Sequence, residues 1–273
     1  MPKQPGLTCV LVSGGLDSAL LLHHLLASGT RLFPLYLRCG FSWEGAELYW
    51  LRRFLRAVRA PGLRPLRVVD TPLRSTYGSH WSLTGRRIPG TKSRDAAVYL
   101  PGRNALLLSY AAIICVQRKA STVVLGTLKS NPFSDASPTF FRDMSACLSR
   151  ALHHPLRVLT PLRRVTKTQL IRSAAAVPLG LTFSCLRPRG HRHCGRCNKC
   201  AERRRAFRRA GVADPDTLEP DAAAVAQGGE RSGHPAGAGR RVRVPDAVRR
   251  APRLPVRRPR GDIHHPRRPG PVG

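Results

Sequence analysis

Residues 10–26 read VLVSGGLDSALLLHHLL, an apolar run broken by Ser13, Gly14, Gly15, Asp17 and Ser18 before a second apolar run begins. The stretch 7–12 (LTCVLV) is short, continuous and apolar, as a buried parallel strand is. Leu16, Ala19, Leu20, His23, Leu26 and Ala27 then recur at spacings of three and four, as on one face of a helix. The small polar residues therefore fall between the carboxyl end of a strand and the amino end of a helix. Backbone N–H groups there lack intrahelical partners and the helix dipole is positive, which makes an anion site. The glycines let backbone approach a phosphate, Ser13 and Ser18 can donate hydroxyls, and Asp17 can orient a magnesium ion or a loop amide. No Gly-Lys-Ser/Thr follows, so this is not a Walker A loop, and the Gly-x-Gly-x-x-Gly dinucleotide fingerprint is absent.

A second chemistry-bearing stretch is SCLRPRGHRHCGRCNKC, where Cys185, Cys194, Cys197 and Cys200 are spaced C-x8-C-x2-C-x2-C and Gly190 and Gly195 permit tight turns. Four thiolates from such a segment fit tetrahedral zinc, and the flanking Arg, Lys and His residues favour the thiolate form. An iron–sulfur cluster is the rival occupant, and His191 or His193 could replace one sulfur. Cys9, Cys39, Cys115 and Cys147 lie scattered in apolar or helical surroundings and read as packing residues.

These residues must be positioned by a fold of some size. With 273 residues and 42% hydrophobic content, the chain can bury one α/β core with appendages. No apolar stretch approaches the ~20 residues of a membrane span, and the amino end runs straight into the first strand without a signal peptide. A cytoplasmic protein without disulfides is expected. Net charge is +32, from 47 Lys and Arg against 15 Asp and Glu. That charge licenses non-specific binding to nucleic acid, but the basic residues are spread over the chain rather than gathered in one stripe with aromatics. An Arg-, Ala-, Gly- and Pro-rich composition is also what GC-rich codons favour.

Strand and helix patterns alternate, which predicts a doubly wound parallel sheet. Strands are expected at 7–12, 31–38, 63–70, 121–127 and 156–162, and helices at 16–27, 44–59, 106–116, 138–153 and 166–176, with Thr166 as a cap. Residues 71–99 are long, polar and weakly patterned, hence a loop or lid. The expected division is an ATP-binding α/β domain over 1–180, a cysteine segment with a terminal helix over 181–215, and a tail over 216–273. The tail is rich in Pro, Gly and Arg, has no aromatic residue, and should be disordered.

SGGLDS matches the SGGxDS pyrophosphate loop of the ATP pyrophosphatase superfamily, which implies cleavage of ATP between its α and β phosphates. Followed in order by YLPGRN, by TK before a helix, and by SC-x8-CGRCNKCAERRRAF-x3-GVADP, it resembles the 7-cyano-7-deazaguanine synthase family over roughly residues 7–216. The resemblance implies a Rossmann-like, adenine nucleotide alpha-hydrolase-like five-stranded α/β fold with a small carboxyl-terminal zinc segment. It implies an ATP-dependent ligase of queuosine biosynthesis: 7-carboxy-7-deazaguanine is adenylated and aminated by ammonia, and a second ATP turns the amide into the nitrile. ATP, Mg2+ and Zn2+ are the implied cofactors. Val12, Ser13, Gly14, Gly15, Leu16, Asp17 and Ser18 would form the ATP-binding loop, with Asp17, Ser18 and Lys167 catalytic. Arg103 and Asn104 would meet the substrate, and the four cysteines would hold zinc.

The family's Ser-Gly-Tyr-Pro-Asp-Cys-Arg stretch after the fourth strand is replaced here by SNPFSDASPTFF, with Asp135 the candidate to read a guanine-like edge through two hydrogen bonds. Open alternatives are a related ligase that couples a deazaguanine acid to another amine, and a tRNA-modifying sulfur transferase on the same loop. The latter needs a reactive cysteine pair or an RNA-binding domain. A non-catalytic zinc module on nucleic acid would leave SGGLDS unexplained. A homodimer is compatible with the resemblance, but oligomeric state is not written in the sequence.

Overall fold

The computed structural model describes residues 6–174 and 176–215, so the tail expected over 216–273 lies outside the described residues. Strands β1 (Thr8–Leu11), β2 (Leu32–Arg38), β3 (Arg67–Asp70), β4 (Thr122–Val124) and β5 (Arg157–Leu159) form one parallel sheet in the order β3-β2-β1-β4-β5. The helices are α1 (Leu16–Ala27), α2 (Glu44–Ala57), α3 (Arg74–Tyr77), α4 (Trp81–Thr84), α5 (Arg103–Gln117), α6 (Pro138–Ala151), α7 (Lys167–Arg172) and α8 (Asn198–Ala210). This is the doubly wound fold that the alternation predicted. Strand order reverses between β1 and β4, and ligands of such sheets bind in the crevice that opens at the strands' carboxyl ends there.

Alternate residues of each strand face opposite helical layers. Val10, Tyr36 and Val124 join Leu20, Leu51, Phe54, Leu170 and Phe207 on one face, where α1, α2, α7 and α8 pack. Cys9, Phe33, Leu35, Leu37 and Val123 join Leu108, Ala111, Ala112 and Phe141 of α5 and α6 on the other. A third cluster packs Phe183, Leu186, Cys197 and Cys200 of the cysteine segment against Trp43 and Ala46 at the start of α2.

Pro34 sits inside β2, a strand with neighbours on both sides, where a residue without an N–H is normally excluded. The register explains it. The Leu32 N–H donates to the Gly62 carbonyl, so the alternate position, Pro34, turns its missing donor to that same side. Pairing with β3 begins only at Leu35, opposite Arg67.

Residues 71–99 are not a plain loop. They contain α3, α4 and a 3-10 turn over Asp95–Val98, pinned by buried Leu73, Ser82 and Leu83. Four-residue helices are too short to leave a period in the sequence. The helix expected over 166–176 ends at Arg172, while Thr166 caps it in a capping box with Gln169.

Candidate active site

The residues of SGGLDS stand at the end of β1, on the strand-order reversal. The Ser18 hydroxyl accepts from the Ser13 N–H (3.2 Å) and donates to the Gly15 carbonyl (3.1 Å), and the Ser13 hydroxyl accepts from the Gly15 N–H (3.3 Å). The loop is thus cross-braced by its own side chains. Gly14 has φ +74°, and a Cβ there would lie 2.9 Å from the Glu47 carbonyl, so both conformation and space demand glycine. Gly126, just past β4, has a similar role unseen in the sequence: a Cβ would lie 3.1 Å from the Asp17 backbone, so its absence lets the two strand ends close on α1.

A cavity of about 350 Å³ opens over this loop, lined by Val12, Ser13, Gly15, Leu16, Asp17 and Ser18 on one side and by Leu125, Gly126 and Thr127 beyond β4. Lys167, first residue of α7, reaches it and pairs with Asp17 (3.3 Å) and with Glu202 of α8. Glu202 also pairs with Lys199 (2.6 Å). Burial raises the Asp17 carboxyl and the neighbouring Glu202 charge adds to this, with Lys167 opposing. Burial alone would lower the Lys167 ammonium, but Asp17 and Glu202 outweigh it and hold it above an ordinary lysine. Burial works against the charge on Glu202 too, yet Lys167 and Lys199 together bring it down to about 2. Neither Lys199 nor Glu202 stood out in the sequence. The signal was there: Glu202 is the one acidic residue in the basic stretch 185–211.

Arg103 and Asn104, from the PGRN turn, line the same cavity. The Arg103 guanidinium lies 5.7 Å from the Phe41 ring centroid, and its Nε is buried with no hydrogen-bond partner. Asp135 departs from the expectation. It is only 7% exposed and does not line the cavity; its Oδ2 accepts from the Asn104 N–H (3.0 Å) and its carbonyl from the Asn104 side-chain amide (2.8 Å). It braces the amino end of α5, with a carboxylate set against orphan helical N–H groups.

Glu47, also unforeseen, lines the cavity and accepts from the Tyr36 hydroxyl (2.8 Å). Burial pushes its carboxyl up to about 8, against the pull of Tyr36 and Arg103. Glu44 accepts from the Gly40 N–H (3.0 Å) and from the Cys39 N–H, fixing the turn that enters α2.

The sulfurs of Cys185, Cys194, Cys197 and Cys200 lie within 4.8 Å of one another, with Cys197 to Cys200 at 3.4 Å and Cys194 to Cys200 at 4.0 Å. A tetrahedron of Zn–S bonds of about 2.3 Å has sulfur–sulfur edges of about 3.8 Å, within that spread. Backbone N–H groups of Leu186, Arg187, Cys194 and Arg196 donate to these sulfurs at 3.3–3.4 Å, an arrangement suited to thiolates. The two histidines are engaged elsewhere. His193 Nε2 pairs with the Ser184 N–H (3.0 Å), and His191 stacks on Tyr49 at 3.8 Å. The segment is tied to the phosphate loop where the Phe183 N–H donates to the Gly14 carbonyl (2.8 Å).

The remaining cysteines do not make a reactive pair at the cavity. Cys9 and Cys115 are neighbours, both fully buried in the core, and burial with the adjacent Cys115 thiol pushes Cys9 up. Cys39 lines the cavity, its thiol also raised by burial. Among the described residues, no helix is long and apolar enough to cross a membrane.

Comparison with known proteins agrees with this geometry. Residues 8–211 match the family model of "Queuosine biosynthesis protein QueC". A 7-cyano-7-deazaguanine synthase of Anaeromyxobacter dehalogenans is 35% identical over 223 residues, covering 76% of this chain and 93% of that protein. One from Methanoculleus marisnigri is 32% identical, covering 77% and 97%. The crystal structure of a predicted subunit of tRNA methyltransferase from Methanocaldococcus jannaschii superposes with a TM-score of 0.42 at 16% identity, over 61% of this chain and 72% of that one. The matched span contains the SGGLDS loop, the PGRN turn and all four clustered cysteines, and the chain belongs to the QueC family.

Proposed function

We propose that this chain is an ATP-dependent carbon–nitrogen ligase that converts 7-carboxy-7-deazaguanine and ammonia to 7-cyano-7-deazaguanine. The observation that carries the reading is one cavity, in a QueC-family chain, whose lining includes both the braced SGGLDS loop and Arg103, with its buried, unpartnered Nε. A nucleotide would lay its phosphates on Ser13, Gly14, Gly15 and Ser18, in the cavity that Arg103 also lines. Arg103 suits a substrate carboxylate, which guanidinium groups bind in forked pairs.

The carboxylate attacks the α-phosphorus and pyrophosphate leaves, with Lys167 stabilising the charge that builds on the phosphate oxygens. Ammonia then displaces AMP from the acyl carbon to give the amide. The amide oxygen attacks the α-phosphorus of a second ATP and displaces a second pyrophosphate; loss of the two nitrogen protons and of AMP, which carries the oxygen away, leaves the nitrile. Asp17 Oδ1 is buried without a partner, which suits a hard cation, and Asp17 would hold Mg2+. When bound, that ion neutralises phosphate charge. The four cysteines would hold a closed structural Zn2+ with no position left for substrate.

A second reading keeps the same adenylation of the acid but passes it to an amine other than ammonia. Incubation with ATP, 7-carboxy-7-deazaguanine and ammonium tests the first: AMP and the nitrile should both appear. AMP without nitrile, together with an N-substituted amide once another amine is supplied, would establish the second reading.

A further inference from the structure

We propose that Lys199 is a further contact for the pyrophosphate end of the nucleotide, held in place by Glu202; this rests on the reading of the cavity as an ATP site. Asp17, Lys167, Glu202 and Lys199 form a continuous chain of alternating charge, and all four line the cavity. Glu202 stands between the two lysines, with Oε1 on Lys167 and Oε2 on Lys199, so one carboxylate fixes two ammonium groups side by side next to the phosphate loop.

An ammonium group has three donors. Lys167 uses two of them, on Asp17 and Glu202, whereas Lys199 uses one. Lys199 therefore has more donors to offer an incoming anion than the lysine of the TK motif. Its neighbour Arg203 also lines the cavity but is committed elsewhere. The Arg203 guanidinium is 2% exposed and is taken up by Asp214 (2.8–3.1 Å), Thr182 and the Leu179 carbonyl. The anion's chemistry follows from position. The pair adjoins Asp17 at the start of α1, beside the SGGLDS loop that would take the phosphates, so it meets the outer phosphates rather than an acceptor carboxylate. The turn that gathers Cys197 and Cys200 is also what directs Lys199, since the lysine lies between those two cysteines at the start of α8.

Calorimetric titration of pyrophosphate and of AMP into the full chain tests this, because AMP lacks the two outer phosphates. Lys199→Ala should weaken pyrophosphate about tenfold, the scale of one charge-assisted hydrogen bond, while AMP changes less than about twofold. Lys199→Arg should restore pyrophosphate affinity to within about threefold. Lys199 is partly exposed, so the melting temperature should stay put. Unchanged pyrophosphate affinity in Lys199→Ala, or equal weakening of both ligands, overturns the inference. Assaying nitrile formation on the same wild-type preparation separates the two readings. Nitrile with no selective loss breaks the Lys199 inference alone. Selective loss without nitrile supports the Lys199 inference and breaks only the acceptor assignment.

Discussion

The phosphate loop and the cysteine segment are both short, glycine-containing and polar, yet they are held in opposite ways. The loop is braced by its own serines and backed by β1, β2 and α2, so neighbours in sequence and core packing keep it open before any ligand arrives. The cysteine segment brings four sulfurs within 4.8 Å of one another; backbone N–H groups reach Cys185, Cys194 and Cys197, while Cys200 meets the sulfurs of Cys194 and Cys197. Four ionised thiolates at that distance would repel, so a cation bound there would hold the segment in order. One region is preorganised; the other is conditional.

The largest expected effect attacks the preorganised side. Asp17→Ala should cut AMP formation by roughly 10²–10³, the scale of losing one preorganised electrostatic contact, with little change in melting temperature. Near-normal turnover would sink the assignment of Asp17. On the conditional side the balance should invert. Cys197→Ser, or chelation of the metal, should lower the melting temperature by on the order of 10 °C, because metal-binding energy in such sites is folding energy. Metal analysis of the wild type should give about one zinc per chain, and an iron–sulfur absorption band would reassign the ion.

Asp135→Ala sharpens the comparison from a third region. It should cost about 1–2 kcal/mol of stability, as loss of a helix amino-terminal acceptor does, and should leave ATP affinity unchanged. A loss confined to acceptor binding, at full stability, would return Asp135 to base recognition. The smallest effect concerns pH. Glu47 is held at about 8 in the fold against 4.5 for a free glutamate, so folding favours its protonated form. Its contribution is fully present below about 4.5 and is lost as pH rises through about 8. Glu47→Gln should therefore flatten that part of the melting-temperature profile, and an unaltered slope would show that Glu47 is ionised in the fold.

What could be read from the chain followed the range of the forces involved. The β1–α1 loop was legible because its function is local: Ser13, Gly14, Gly15, Asp17 and Ser18 are covalent neighbours, and strand and helix periods announce themselves on both sides. The cysteine cluster was legible from spacing, but the choice between sulfur and imidazole ligands was not. Only packing shows His191 on Tyr49 and His193 against the Ser184 amide.

Asp135 illustrates the opposite case. Its type fitted base recognition, and its place beneath the start of α5 is set by how α5 meets the Ser134–Ala136 turn, a contact between segments some 31 residues apart. The sequence by itself determined the parallel α/β architecture, the small-residue turn between β1 and α1 and the close spacing of four cysteines, because each is dictated by residue type at short spacing. Tertiary structure alone decided that Lys167, Glu202 and Lys199 share one charge chain with Asp17, and that Arg103 lines the same cavity. Coulomb and hydrogen-bond partners are chosen by distance in space, and residues 17, 103, 167 and 202 become neighbours only when the sheet brings the ends of β1 and β4 together.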